Sequence, residues 1–459
     1  MGIEYKKLYE IIKTEILSGK LKDGQKLPSI RKCVFKYKLS MATVFHSYEL
    51  LEKNGYIEKV AGKGCFVKSK KDFSLEKRTI PMINAFKDGQ VLEKNEINFS
   101  SGTLPSKYFP IRFYKKLSEK ILNIYGASIF EYQQVQGVKS LRETLAESLE
   151  EDDIFVTENE ILINSGTQQS LEIVLKLFSK NGKKNIIISE PTYPNAMNVF
   201  NDNCKINTVK LEKDGWNMEE FENILKSEKI DFIYEVFNFH NPTGVSWSKE
   251  KREKLLKLSK LYDFYIVEDD TFSDYFYTSS KPLPLKSMDK IDEERVIYIR
   301  TYSKTIMPGM GIALMVIPPI LLEKGILTKY GIDTTTSGLN QRILEYYIKE
   351  NYYKIHIKKV RRILKLKYLK GLSTLKECKN LKLLYIPEGG FFFWIEILKE
   401  IEVDDFQKRA IEKGISFLNG SMFFYNNQKT KYIRLSFTNG NLKEIEDGIK
   451  KIDLLLDEK

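Results

Sequence analysis

The sequence predicts a multidomain chain: a small, mainly helical N-terminal domain carrying a β-hairpin, then a much larger α/β domain that closes with a smaller C-terminal α+β part. Three observations carry this expectation. The 459 residues amount to about three times the commonest domain length. The first 70 residues hold 15 Lys and Arg against 7 Asp and Glu, a large share of a formal net charge of +12, and a basic end on a near-neutral body suits a polyanionic partner. From about residue 160 onward, β-like runs alternate with amphipathic helical stretches, the pattern of a mainly parallel sheet covered by helices on both faces.

The N-terminal elements follow in order. Residues 4–18 place Leu8, Ile11, Ile12 and Ile16 in helical rhythm, with Gly19 as the expected stop. Ser29, after Pro28, is placed to cap a second helix running through Leu39. Ser40 is placed to cap a third, whose Val44, Tyr48, Leu50 and Leu51 form an apolar stripe before Asn54-Gly55. Two capped helices meeting at Leu39-Ser40 make a helix-turn-helix. YIEKV and CFVKS then flank Ala61-Gly62-Lys63-Gly64, a Gly-rich turn closing a basic wing. The second helix of such a unit offers its first residues to base edges, so Ser40, Met41, Ala42 and Thr43 are expected in the major groove of double-stranded DNA. Arg31, Lys32, Lys36, Lys38 and Lys63 are placed to meet phosphates, and Ser29, Gly62 and Gly64 complete the expected DNA-binding set. This domain is assigned to residues 1–68. Residues 69–95, polar and Lys-rich with Pro81 and Gly89, read as a linker.

In the remainder, 96–459, the expected strands are ILIN at 161, IIIS at 186, FIYEVF at 232, FYIVE at 264, VIYIR at 296 and IALMVI at 312. They form the large part, about 130–340. A Lys-rich helix after Asn351, FFFWIEI at 391 and YIRLSF at 432 form the small part, about 350–459. Strand ends are where open α/β sheets bind ligands. After ILIN, Ser165-Gly166-Thr167-Gln168-Gln169 opens a helix whose free amides and dipole suit a phosphate. Asp269 and Asp270 follow IVE, where a carboxylate could hold a pyridinium nitrogen protonated, ligate a metal or cap a helix. Lys304 stands behind Thr301 and Ser303, and a lysine desolvated there beside other cations would have its charged form disfavoured, as a Schiff base requires. The four cysteines, Cys33, Cys65, Cys204 and Cys378, lie too far apart to suggest a metal site or a disulfide framework. MGIEYKKLYEII has no apolar core of signal-peptide length, and no run approaches the roughly 20 apolar residues of a membrane helix, so a cytoplasmic location without a membrane partner is expected.

LYEIIKTEILSGKLKDGQKLPSIR followed by LSMATVFHSYELLEKNGYIEKVAGKGCFV resembles the winged helix-turn-helix of GntR-type bacterial regulators over the first 67 residues. Met41 stands where that family usually has an arginine. This removes one charge-assisted contact of about 1.5–3 kcal/mol and implies altered operator recognition. The series SSGTLPSKYFP, FEYQQVQGVKSLRETLA, SGTQQ, EPTYP, HNPTG, IVEDD, TYSK and YIRLSF is similar to the fold-type I, pyridoxal-phosphate-dependent aminotransferases from about Phe99 to the end. Together the two parts resemble the MocR subfamily of GntR-type regulators.

The resemblance implies pyridoxal phosphate as cofactor, with Lys304 as the internal-aldimine, catalytic lysine, Asp269 at the pyridine nitrogen, Asn241 at the phenolic oxygen and Tyr193 stacked on the ring. Thr167, Gln168 and Thr301 would hold the phosphate, with Tyr132 reaching across a dimer interface, and Gly166 and Ser303 complete the implied cofactor-binding set. Arg434 would clamp an amino-acid carboxylate bidentately, although a strand arginine can equally be a structural ion pair. Two positions depart from the pattern. Gly311 replaces the usual phosphate-binding arginine, a loss of about 1.5–3 kcal/mol or roughly ten- to a hundredfold in affinity. Thr271 replaces a tyrosine that touches the phenolic oxygen. The implied function is that of a homodimeric transcriptional regulator that binds a double-stranded operator and senses the cofactor or an amine or amino-acid effector. The alternatives are an active aminotransferase with an appended DNA-binding domain, and a regulator that has lost the cofactor and senses another small molecule.

Overall fold

The computed structural model describes residues 4–17, 20–22, 24–60, 63–68, 97–178, 182–289, 294–425 and 428–458. The chain divides into two compact units, Met1–Asn84 and Ala85–Lys459. Gly19, Gly62 and the segment read as a linker, 69–95, lie outside the described residues.

The first unit contains α1 (Glu4–Leu17), α2 (Ile30–Tyr37), α3 (Met41–Lys53) and the strands β1 (Ile57–Val60) and β2 (Gly64–Val67). Ser29 caps α2 by accepting the Lys32 amide at 3.4 Å. That helix ends before Leu39 because Lys38 turns into the left-handed region at φ 52°, which resets the chain for the next cap. Ser40 then accepts the Thr43 amide at 3.1 Å. Leu8, Ile12, Val44, Tyr48 and Leu51 close one small core with Ile57 and Val67 of the hairpin. The Tyr48 hydroxyl is buried there by donating to the Pro28 carbonyl at 2.7 Å. The hairpin is antiparallel, with Ile57 opposite Val67 and Val60 opposite Gly64.

The second unit is built on an eight-stranded sheet. After β3 (Ile97–Asn98), its strands are β4 (Ile161–Asn164), β5 (Lys184–Glu190), β6 (Cys204–Glu212), β7 (Gly215–Trp216), β8 (Phe232–Glu235), β9 (Tyr265–Asp269), β10 (Val296–Thr301) and β11 (Ala313–Val316). Their order is β4-β11-β10-β9-β8-β5-β6-β7. β11 runs against both its neighbours and β7 against β6, while β10, β9, β8, β5 and β6 are parallel in succession. Alternate residues serve opposite faces: Ile161 and Ile163 join one apolar cluster and Leu162 another, as the period of two requires. Near-continuous burial along β4, β8 and β10 marks a sheet covered on both sides. β6 escapes the sequence reading because the lysines of CKINTVKLE are exposed and its asparagine and threonine only partly buried, which breaks the apolar run.

A 26-residue helix, Tyr352–Glu377, leads to the second sheet, ordered β12 (Leu381–Leu383), β13 (Phe392–Ile397), β16 (Tyr432–Ser436) and β15 (Leu418–Asn419). β14 (Ile415–Ser416) pairs in parallel with β3. Trp394 stands opposite Arg434 in the β13–β16 register.

Candidate functional site

β4, β5, β8, β9 and β10 end on one edge of the large sheet, and each end delivers a candidate residue. Beyond β4, Gly166 sits at φ 135° as N-cap of the helix Thr167–Leu177. Its amide donates to Asn164 Oδ1 at 3.1 Å, and the same oxygen accepts the Ser170 hydroxyl at 3.1 Å. The amides of Thr167 and Gln168, in the first turn, have no intrahelical acceptor. A Cβ on Gly166 would meet nothing within 4 Å, so it is the backbone conformation, rather than crowding, that calls for glycine there. A Cβ on Gly311 would lie 3.9 Å from the Ser165 carbonyl. The side chain missing at 311 would therefore start beside this turn, as expected of a phosphate-binding arginine. Asp333, which sequence reasoning missed, lies 3.5 Å from both Ser165 Oγ and Gln169 Nε2 and brings a negative charge to the same turn. Thr301, buried at the end of β10, accepts the Ser303 amide at 3.3 Å.

The two aspartates after IVE separate cleanly. Asp270 is consumed by the fold: Tyr298 donates to it at 2.5 Å and Ser273 bonds its other oxygen. Asp269 receives the Tyr234 hydroxyl at 3.0 Å on Oδ2 and the Thr271 hydroxyl on Oδ1. Burial pushes the Asp269 carboxyl up to about 6, with the Thr271 and Tyr234 bonds and the Lys304 ammonium opposing the rise. A carboxylate has about four acceptor positions, so with one taken on each oxygen there is room for a further donor. Thr271 therefore props up Asp269 in place of the expected tyrosine's contact.

Lys304 is lowered to about 8, by burial first and by the Arg434 charge second, against the pull of Asp269. Its backbone is fixed from below: Tyr275 donates to the Lys304 carbonyl at 3.2 Å, and His356 Nε2 lies 3.1 Å from the Thr305 carbonyl. Arg300 anchors the loop that carries Tyr275, binding Asp152 and Asp274 at 2.7 Å each.

Arg434, on β16, is 4% exposed. Its Nη1 donates to Asn241 Oδ1 at 3.0 Å and its Nη2 to the Ser100 carbonyl at 2.8 Å, while Nε is buried without an acceptor. Phe392 and Phe423 lie 4.1 and 5.3 Å from the guanidinium. Burial lowers Arg434 to about 9, partly offset by Tyr193. Among the described residues no carboxylate pairs with it. A buried guanidinium held only by neutral acceptors is costly, and an incoming carboxylate would relieve that cost. Tyr193 is raised to about 12, by burial and then by Asp269, with Asn195, Gln168 and Arg434 opposing the rise.

Lys304, Asp269, Asn241, Tyr193, Gln168 and Arg434 thus form one electrostatically linked group. Tyr132 does not join it within one chain and is 83% exposed. Tyr234, Ser100, Phe392 and Phe423 were not read from the sequence, because strand register and chain return bring them here. In the first unit, Ser40 and Thr43 cap each other, their hydroxyls 2.8 Å apart, while Ser29, Arg31, Lys32, Lys36, Lys38, Lys63 and Gly64 are exposed.

The fold and this strand-edge site define an aminotransferase-like domain, and the first unit defines a winged helix-turn-helix. Residues 94–452 match the aminotransferase class I and II family, and residues 4–67 match the gntR family of bacterial regulatory proteins. The chain belongs to the aminotransferase class I and II family and carries a gntR-family domain ahead of it. It is 30% identical to the uncharacterized HTH-type transcriptional regulator YdfD of Bacillus subtilis, covering 99% of this chain and 96% of that one. With the HTH-type transcriptional regulator NorG of Staphylococcus aureus it shares 27% identity over 93% of this chain and 98% of that one. The crystal structure of the Pyrococcus horikoshii kynurenine aminotransferase superposes with a TM-score of 0.78 at 29% identity, covering 85% of this chain and 96% of that one. The pairing of domains is the one the sequence resembles in MocR-type regulators, and the class I and II fold is pyridoxal-phosphate-dependent in its family. Among the described residues, no helix is long and apolar enough to cross a membrane.

Proposed function

We propose that this chain is a cytoplasmic, homodimeric transcriptional regulator that binds double-stranded operator DNA through its gntR-family domain, and whose aminotransferase-like domain binds pyridoxal phosphate and senses an amino-acid or amine effector. The observation that carries the reading is the buried Arg434, without a carboxylate partner among the described residues and electrostatically coupled to a lysine lowered to about 8. Coupled, perturbed groups of this kind mark functional sites.

The residues present fit the cofactor. Asp269 keeps an acceptor position for a ring nitrogen, Asn241 and Tyr193 adjoin the same group, and Gly166, Thr167, Gln168, Thr301 and Ser303 offer uncharged donors for a phosphate, weakened by Gly311 and by Asp333. When bound, pyridoxal phosphate supplies an aldehyde that captures primary amines and a ring that withdraws electrons from them. Lys304 would hold it covalently through Nζ. Tyr234 and Thr271 hold the Asp269 carboxylate in place, and Arg434 orients an amino-acid carboxylate with two parallel donors. Exposed apolar side chains at Ile111, Ile124, Phe130 and Tyr132 support a homodimer interface, which would carry Tyr132 to a partner's site.

The test is the visible absorbance of the purified full chain with pyridoxal phosphate. A band that Lys304→Ala abolishes supports the reading, and its absence from the unaltered protein overturns it. Sustained turnover of an amino acid with a keto-acid acceptor would replace sensing by catalysis.

A further inference from the structure

Resting on the DNA-binding part of that reading, we propose that the recognition helix α3 identifies its operator through the methyl groups of thymines, using Met41, Ala42 and Phe45, and not through hydrogen bonds to guanine. Base readout in the major groove needs a guanidinium, amide, carboxylate or hydroxyl for the polar edges, or an apolar group for the thymine methyl. The first two turns of α3 have little left of the first kind. The Ser40 and Thr43 hydroxyls bond each other at 2.8 Å, and Ser40 also takes the Thr43 amide. His46 Nδ1 lies 3.2 Å from Glu49 Oε2, and its ring packs edge-on to Tyr5 and Phe45.

Apart from the Ser40 cap and His46, what these turns expose is apolar. Met41 is 57% and Phe45 38% accessible, and Ala42 is exposed with them. Phe45 is four residues from Met41 and three from Ala42, both neighbouring spacings on a helix surface, so it joins the other two into a patch. Charge complementarity fixes the occupant as DNA. Arg31, Lys32, Lys38, Lys59 and Lys63 are exposed on the same unit, none of them is in an ion pair among the described residues, and the Lys59 ammonium lies over the Phe45 ring at 5.4 Å. An apolar surface with a cation against it, on a unit rich in unpaired cations, suits thymine methyls set between phosphates.

The experiment selects duplexes bound by the full chain from a pool randomised over 20 base pairs, then remakes the best duplex with deoxyuridine replacing thymine, one position at a time. Enriched half-sites with fixed thymines are expected. Removing one contacted methyl should weaken binding about fourfold, the value of one buried methyl group. Met41→Ala and Phe45→Ala should each become indifferent to deoxyuridine at one position, and Met41→Arg should move the preference there toward guanine. Half-sites fixed by guanine alone, or binding unchanged by deoxyuridine, would overturn the inference while leaving DNA binding intact. No enrichment at all would overturn both.

Discussion

Replacing Arg434 with methionine should make the ligand-free protein more stable while removing its response to amino acids. Burial holds the Arg434 guanidinium down at about 9, well below its ordinary value, which corresponds to a burial cost of about 5 kcal/mol. Methionine removes that cost and fills much of the volume between Phe392 and Phe423. Against this, the Asn241 Oδ1 and Ser100 carbonyl each lose a donor, at 3.0 and 2.8 Å, about 1–2 kcal/mol apiece. The balance is a gain of about 1–3 kcal/mol, a rise of a few degrees in Tm. An amino-acid carboxylate would lose both its donors, weakening binding by about 2–4 kcal/mol, roughly thirty- to a thousandfold. Differential scanning fluorimetry of both proteins, titrated with amino acids and with the corresponding decarboxylated amines, reads both effects. Discrimination between acid and amine should vanish in the variant. A variant that is destabilised and still discriminates would make Arg434 a structural residue and not the carboxylate clamp.

Lys304 gives a pH signature. With its folded pKa lowered to about 8, stability carries a penalty at lower pH and recovers as pH rises from about 8 toward the ordinary lysine value, where the unfolded chain binds more protons. Borohydride-trapped incorporation of pyridoxal phosphate should therefore rise through a midpoint near pH 8, and Arg434→Met should move that midpoint upward. Tyr234→Phe removes the donor 3.0 Å from Asp269 Oδ2 and should raise the Asp269 carboxyl further, weakening the cofactor about tenfold in a fluorescence titration. Gly311→Arg should strengthen pyridoxal phosphate roughly ten- to a hundredfold through a charge-assisted phosphate contact, while a side chain held at φ 55° lowers stability by roughly 1–2 kcal/mol with or without cofactor.

Much of the site was legible because it lies where strands stop. Gly166, Asp269, Thr301 and Lys304 each follow an apolar run at short range, and the run announces itself in the sequence. Asp269 and Asp270 were adjacent and indistinguishable until Tyr298 and Ser273 were seen to consume the second. Tyr234 lies inside an apolar strand, where a tyrosine reads as core, and only the neighbouring strand shows that its hydroxyl meets Asp269. Ser100 reaches Arg434 across 334 residues, and Asp333 approaches Ser165 across 168 residues, which local pattern cannot express. In the first unit, burial periodicity gave the helices, but the apolar exposure of Phe45 became visible only once the capped turn fixed which side of α3 is uncovered.

A regulator of the proposed kind has its DNA binding governed by occupancy at Lys304. The direct measurement is the affinity of the full chain for its selected duplex, by fluorescence anisotropy at fixed salt, with and without pyridoxal phosphate and an amino acid. A shift of about fivefold or more is expected in the unaltered protein and none in Lys304→Ala. Equal affinity in all states of the unaltered protein would contradict it.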